Sequence, residues 1–310
     1  MDMVKRAITY GIYPVVFAAA MVFALIGISR EMHPVLVLGV IFLSTAAIIT
    51  ICERINPYYS SWNKNQDDVK VDLLHMLVSM VFLKQFLEFL FSLFLFSFAI
   101  WLANNIGFSI WPSDWHLLLQ LPLAMLIIGF FEYWWHRAAH EIPFFWRFHA
   151  THHSPGRLYW VNAARFHPLD TTVSYVVTTG PLILLGVSPG LLLLVAAWVN
   201  VHGMFQHSNI HLKLGPLNWI FSMAELHRWH HSKKLEEANA NYGNNIIFWD
   251  IVFGTRYFPK ERKPAENIGL SGMDNFPKDY VGQILSPFKW KEIEQGQAED
   301  KKVHNPLLQD

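Results

Sequence analysis

One cysteine in 310 residues, Cys52, excludes an internal disulfide and any metal site built from several thiolates. Charge is equally scarce: 15% of residues are charged, and 24 basic side chains balance 24 acidic ones. A net charge of zero gives no footing for a nucleic-acid partner or a long charged disordered chain. Internal repeats and low-complexity tracts are missing too. The chain is instead apolar, with 53% hydrophobic residues and a mean hydropathy of +0.24, which suits a membrane protein whose partner is lipid. Its 13 Trp and 24 Phe read mostly as membrane anchoring and lipid-facing core.

Apolar runs set the architecture. Thr9 to Ser29 carries no charge and, at about 1.5 Å per residue, covers a hydrocarbon core of about 30 Å. Pro34 to Cys52 follows at once, so the first run reads as a spanning helix and not as a cleaved signal peptide. Hydrophobicity resumes from Val71 to Trp101, interrupted by Lys84 and Glu88, which share a helical face and could pair. Intramembrane charges are rare, so an interfacial kink with the span proper after Glu88 is the plainer reading. A fourth span, Leu117 to Trp135, ends in an interfacial Tyr133-Trp134-Trp135 cluster. The last apolar stretch, Thr172 to Val201, is broken by Gly186-Val187-Ser188-Pro189-Gly190, which no straight helix accommodates cheaply. It is expected to form a broken pair of helices dipping into the membrane. A crossing there would put the flanking histidines on opposite faces.

Basic residues orient these spans. Lys5 and Arg6 precede the first, Arg30 alone follows it, Arg54, Lys64 and Lys70 follow the second, and none lies between Ala103 and Trp115. The positive-inside rule then places the N-terminus, the 53–72 loop and everything after Trp135 in the cytoplasm, in a bacterial inner membrane or the endoplasmic reticulum. The division expected is a transmembrane anchor over 1–135, a catalytic domain over 136–260 that includes the dipping segment 172–201, and a polar tail over 261–310, mobile from about Lys289.

Twelve of the sixteen histidines fall between His136 and His231. His136-Arg137-Ala138-Ala139-His140 puts two imidazoles at i and i+4, on one face of a helix continuing the fourth span. His149-Ala150-Thr151-His152-His153 adds a set at i, i+3 and i+4, and His227-Arg228-Trp229-His230-His231 repeats it. His202 and His207 lie between, which makes ten candidate ligands. Neutral imidazole suits zinc, copper, iron and nickel, and ten donors exceed a closed four-ligand zinc site, so two metals are the economical count. Nearby carboxylates are few, namely Glu132, Glu141, Asp170 and Glu225, and the Glu-x-x-His pairs of soluble di-iron bundles are absent. A mostly histidine shell is implied. His33, His75, His116 and His304 stand alone and read as structural, and His211 as a bystander before a loop.

With these motifs in order, the chain resembles the fatty acid hydroxylase/sterol desaturase superfamily of integral-membrane di-iron oxygenases. The matched elements are His136-x-x-x-His140, His149-x-x-His152-His153, His207 in Phe205-Gln206-His207-Ser208-Asn209, and His227-x-x-His230-His231, closed by Asn241-Tyr242-Gly243 and Trp249-Asp250-Ile251-Val252-Phe253-Gly254-Thr255. The resemblance implies an all-α membrane anchor of about four spans under a cytosolic helical cap that holds two iron ions, with zinc a possible substitute on purification. It also implies a reaction in which molecular oxygen and two electrons hydroxylate a fatty acyl, sterol or ether lipid. The electrons would come from a separate cytochrome, ferredoxin or reductase, or from a reduced pterin. Asp170, Glu225, His167, Arg165 and Asn162 are candidates to orient the ligands, and Asn244 and Asp250 to position the last motif.

Other chemistries use the same residue types. A desaturase shares the oxidant and differs only in whether a second hydrogen leaves. A zinc-dependent membrane hydrolase or metal-handling protein could use histidine clusters. A bis-histidine haem protein needs axial pairs on facing helices, against which adjacent histidines such as His152-His153 argue.

Overall fold

The computed structural model describes residues 2–107 and 110–296; His304 and the tail beyond 296 lie outside them. Among the described residues the chain is helical throughout, and its pairing of extended backbone is confined to two isolated bridges, Pro57 with Ile210 and Phe221 with Ile246. Helix α1 (Met3–Ser29) starts where Asp2 accepts hydrogen bonds from the Val4 and Lys5 amides, and α2 (Pro34–Ile55) starts with proline at its first position. The two pack as a close hairpin. One face of α1 buries Val16, Ala20, Ala24 and Gly27, and a Cβ added at Gly27 would meet Val37 Cγ2 at 2.6 Å. Small residues let the backbones approach where lipid offers no hydrophobic drive.

Helix α3 (Val69–Asn105) is continuous, and His75–Lys84 within it is wound as a π-helix. The kink expected near Lys84 and Glu88 is therefore a change of winding and not a break. The two side chains pair at 2.8 Å, which supplies the partner an intramembrane charge needs. The apolar residues Phe82, Phe86, Phe89 and Phe94 remain exposed along α3, as a lipid-facing surface requires. Helix α4 (Leu117–Glu141) is capped by the His116 ring, which accepts from the Leu118 amide. Helix α5 (Pro143–His153) turns back beside its end.

The broken pair is α6 (Pro168–Thr178) with α7 (Gly180–Leu184) leading in, and α8 (Pro189–His207) leading out. Gly186 sits at φ 83°, which an L side chain rarely adopts, and Ser188 and Pro189 start α8 afresh. By length and composition α8 is itself able to cross a membrane, so five helices meet that criterion and not four. Both ends of the pair nevertheless meet at one place, because His207 at the end of α8 lies against Asn162 just ahead of α6. The 53–72 loop comes to the same end: Glu53 Oε1 accepts from the Trp160 and Asn209 amides, and Trp62 Nε1 donates to the Glu266 carbonyl. So does the N-terminal turn, where Asn56 Nδ2 donates to Thr9 Oγ1. The protein is a multi-pass membrane protein with its histidine-bearing cap gathered at one end of the bundle.

Residues 264–293 wrap this cap. Gly269 N donates to the His231 carbonyl, Gln283 Oε1 meets His75 Nε2 at 2.9 Å, and Trp290 and Ile293 are buried. If the α1–α2 contact holds the anchor together, Gly27→Leu should cost about 1–3 kcal/mol by overpacking. Thermal unfolding in detergent should show a lowered Tm, and an unchanged Tm would refute the contact.

Candidate metal centre

Helix α9 (Ala224–His230) carries the last histidine motif toward the first two. The three motifs sort their members by helical face. His136 and His140 (i, i+4 on α4), His149 and His153 (i, i+4 on α5) and His230 form one group; His227 and His231 (i, i+4), His152 and His207 form the other. The i+3 member of each later motif thus crosses to the opposite group. Within each group the donor atoms lie within 4.8 Å of one another. Nε2 atoms face each other at 3.1 Å (His136–His149), 3.0 Å (His136–His230), 3.1 Å (His140–His153), 3.0 Å (His207–His227) and 2.9 Å (His227–His231).

Their second ring nitrogens decide what those short distances mean. His136 Nδ1 lies 2.6 Å from the Tyr242 carbonyl, His230 Nδ1 2.8 Å from the Ala240 carbonyl, and His149 Nδ1 2.8 Å from Asp170 Oδ2. Each partner only accepts, so Nδ1 carries the proton and Nε2 presents a lone pair in the neutral ring. His207 Nδ1 stands 3.0 Å from Asn162 Oδ1 and His152 Nδ1 3.3 Å from the Arg165 carbonyl, with the same consequence. Lone pairs about 3 Å apart with no proton between them repel, and a cation placed among them removes the conflict. Metal–nitrogen bonds of about 2.1 Å meeting at right angles would separate the nitrogens by about 3.0 Å, whereas a tetrahedral zinc would separate them by about 3.4 Å. The donor set therefore fits a metal ion in each group, and no carboxylate belongs to either group.

Burial enforces neutrality. It lowers the pKa of His230 to about 3 and holds His152, His153, His227 and His231 well below the usual imidazole range, with neighbouring imidazoles adding to the effect for the last four. Nδ1 of His227 and of His231 is buried without a hydrogen-bond partner.

His202, the tenth candidate, falls in neither group. Its Nδ1 meets the Tyr13 hydroxyl at 2.9 Å and its Nε2 the Ser222 carbonyl at 3.0 Å, so both nitrogens are engaged in tying α1 to α8 and the cap. Glu225 is also elsewhere, accepting from the Leu214 amide and Asn218 Nδ2. His167 caps α6 and reaches the Ile284 carbonyl. Arg165 contributes its carbonyl to His152 while its guanidinium pairs with Asp72 on α3. Asp250 accepts from the Tyr242 and Gly243 amides, which fixes the loop whose carbonyl holds His136. His75 is held by the Phe166 carbonyl and Gln283, and His211 packs on Tyr58; neither joins a group. Sequence reasoning missed the carbonyls of Tyr242 and Ala240, since every residue has one. It also missed Glu53, the carboxylate at the end of α2 that pins two loops. A cavity of about 290 Å³ opens beside His140 and His153, with Glu141, Trp146, Lys233 and Trp290 in its walls.

Spans, imidazole groups and a cap at one end define a membrane protein able to hold metal ions. The fatty acid hydroxylase family model matches residues 121–255, which contain every histidine of both groups. Ornithine lipid hydroxylase OlsE of Rhizobium tropici is 35% identical over 287 residues, 92% of this chain and 85% of its own length. Human alkylglycerol monooxygenase (31% identical, 47% of this chain and 31% of its own) and rat methylsterol monooxygenase 1 (28%, 46% and 48%) match over shorter stretches. No solved structure matches. The chain belongs to the fatty acid hydroxylase family and is an oxidoreductase of the membrane-lipid hydroxylase and monooxygenase class.

Two outcomes are expected. His202→Gln should keep the metal content of the parent and lose Tm, whereas His152→Ala should lose metal; equal metal loss in both would return His202 to the ligand set. For the metal-free protein, the unfolded chain binds protons at its histidines below about pH 6.5 while the buried rings stay neutral, so stability falls as pH drops through that value. A Tm that rises on acidification from neutral pH would contradict the assigned neutrality.

Proposed function

We propose that His136, His140, His149, His153 and His230 hold one iron ion and His152, His207, His227 and His231 a second, and that the protein uses molecular oxygen and two electrons to hydroxylate a C–H bond of a membrane lipid. The observation that carries this reading is the pair of adjoining imidazole groups with lone pairs converging at about 3 Å, the first of them with one donor more than a closed zinc site takes. Bound there, the metal pair supplies the oxygen activation and one-electron chemistry that amino-acid side chains lack. The chain does the rest. Asp170, Asn162 and the carbonyls of Tyr242, Ala240 and Arg165 fix the ring tautomers, and so the direction of each lone pair. The closely packed rings, among them Phe166 stacked at 3.8 Å on His152, exclude bulk water.

The relative that spans most of this chain acts, by its name, on an ornithine lipid, which favours a lipid with an amino-acid head as substrate. Hydroxylation is preferred to desaturation because the relatives compared are named hydroxylases or monooxygenases. Electrons arrive from a separate donor of the cytochrome, ferredoxin or reductase kind. The anchor is taken as 1–135, the catalytic domain as 136–260 and the remainder as 261–310. The cap faces the cytoplasm, since the N-terminal turn with Lys5 and Arg6 and the 53–72 loop with Arg54, Lys64 and Lys70 join it at one end.

Protein purified from iron-replete cells should carry about two irons per chain. It should also take up oxygen when lipid extract and reductant are supplied, with a hydroxylated lipid found by mass spectrometry. Zinc alone with no uptake after iron reconstitution would favour the hydrolase or metal-handling reading. For sidedness, in a Cys52→Ser background, Asp114→Cys should react with a membrane-impermeant maleimide on intact cells and Lys64→Cys only after permeabilisation; the reverse would invert the protein.

A further inference from the structure

A line of three oxidisable rings leads away from the first histidine group. The Tyr242 ring centroid lies 5.6 Å from that of His140, 6.0 Å from His136 and 6.1 Å from His230. Tyr133 is the next ring, 5.8 Å from Tyr242, and Trp134 follows at 5.4 Å from Tyr133. Both tyrosines are fully buried, whereas Trp134 is 42% exposed. Phenylalanine would fill these positions equally well by volume, and phenylalanines do surround them, as with Phe253 at 5.0 Å from each of Tyr133 and Trp134. Tyrosine and tryptophan differ from it in giving up an electron far more readily.

Hydrogen bonds follow the same line. The Tyr242 hydroxyl donates to Glu141 Oε1 at 3.2 Å, and that oxygen also accepts from Arg137 Nε at 2.9 Å. Arg137 Nη1 donates to the Tyr133 hydroxyl at 3.2 Å, and its guanidinium lies 5.6 Å from the Trp134 ring. The Tyr133 hydroxyl is also 3.2 Å from Thr255 Oγ1, which lies 2.7 Å from Asp250 Oδ1. Phenol oxidation expels the phenolic proton, so a buried tyrosine serves as an electron donor only beside a group that can take it: Glu141 for Tyr242, and for Tyr133 the Asp250 carboxylate by way of Thr255, whose single hydroxyl hydrogen, when given to Asp250 Oδ1, leaves its oxygen to accept from Tyr133.

We propose that Tyr242, Tyr133 and Trp134 form a relay through which an oxidising equivalent leaves the metal groups when no lipid C–H bond is present to consume it. This rests on the oxygen-dependent hydroxylase reading given above. In the first step Tyr242 passes one electron to the oxidised metal site and shifts its proton along the hydrogen bond to Glu141, becoming a neutral phenoxyl radical. An electron from Tyr133 refills Tyr242, which recovers its proton from Glu141 while the Tyr133 proton moves toward Thr255 and Asp250. An electron from Trp134 then refills Tyr133, and its proton returns. At the surface a one-electron reductant of the thiol class refills Trp134, becoming a thiyl radical and releasing its proton to water. Each passage thus oxidises one thiol by one electron and reduces the metal site by one, and the relay ends unchanged. A low-potential donor that reduces the resting site has no use for these rings, because a phenol yields its electron only to a strong oxidant. The relay is therefore silent in productive turnover.

The test uses the full-length, iron-loaded protein in detergent, treated with hydrogen peroxide in the absence of lipid and frozen for electron paramagnetic resonance. A tyrosyl signal is expected in the parent and its loss in Tyr242→Phe, with oxidised residues mapped by peptide mass spectrometry moving from Trp134 to the histidine motifs. Trp134→Phe should keep the parent's initial rate of lipid hydroxylation, prolong the tyrosyl signal and inactivate several-fold sooner. A radical that survives in Tyr242→Phe, or an iron-loaded, turnover-competent parent that forms none and is no better protected than the variants, would overturn the relay. A parent that holds no iron and takes up no oxygen would refuse the hydroxylase reading itself, and the relay with it.

Discussion

Nine imidazoles, eight of them buried and His140 partly so, converge their lone pairs on two small volumes, and the rest of the cap is organised around keeping them there. Nothing in the side chains themselves favours that arrangement: neutral lone pairs at about 3 Å repel, and burial penalises the protons that would relieve them. A bound cation reverses the sign of the interaction. The protein's own investment is in the other face of each ring, where Asp170, Asn162 and three backbone carbonyls accept the Nδ1 proton and so fix which nitrogen is free. Because those acceptors come from the loops around Arg165 and Ala240–Tyr242 and from α6, the whole cap must close before the site exists.

That requirement is met at the membrane-facing joints. Glu53 at the end of α2 holds the Trp160 and Asn209 amides, and Asp72 at the start of α3 receives Arg165, so two spanning helices grip the loops that carry ligand-orienting groups. The π-wound stretch of α3 places His75 against the Phe166 carbonyl and Gln283, joining the third span to both α6 and the wrapping segment. Single π-turns are often found at functional sites for this reason: they re-aim a side chain without ending the helix.

Much of this was legible in the residues. Charge-free runs of spanning length marked the first two spans, apolar runs with one to three charges marked the next two, and the Gly186–Gly190 interruption marked the turn between α7 and α8. The i, i+3, i+4 spacing of the motifs identified their helical faces, though not that the i+3 member serves the other group, which depends on how α5 and α9 face each other. Proximity in sequence did not show that His202, unlike His207, is turned on α8 toward Tyr13 and lies outside both groups. Nor did it show that Glu225, adjacent to the last motif, is aimed at Leu214 and Asn218. Backbone acceptors are invisible to residue-type reasoning, since any residue at positions 240 and 242 would supply them.

The division of neighbouring residues between the two groups sets a limit on how this sequence can change. His152 and His153 face different groups, as do His230 and His231. A single residue inserted within either motif rotates everything beyond it by about 100° around the helix, moving an imidazole out of one group without delivering it cleanly to the other. Insertions in the loops between motifs carry no such rotation. Length variation in related chains should therefore concentrate between the histidine clusters and stop abruptly at their edges, and the two groups can be lost together far more easily than one can be lost alone.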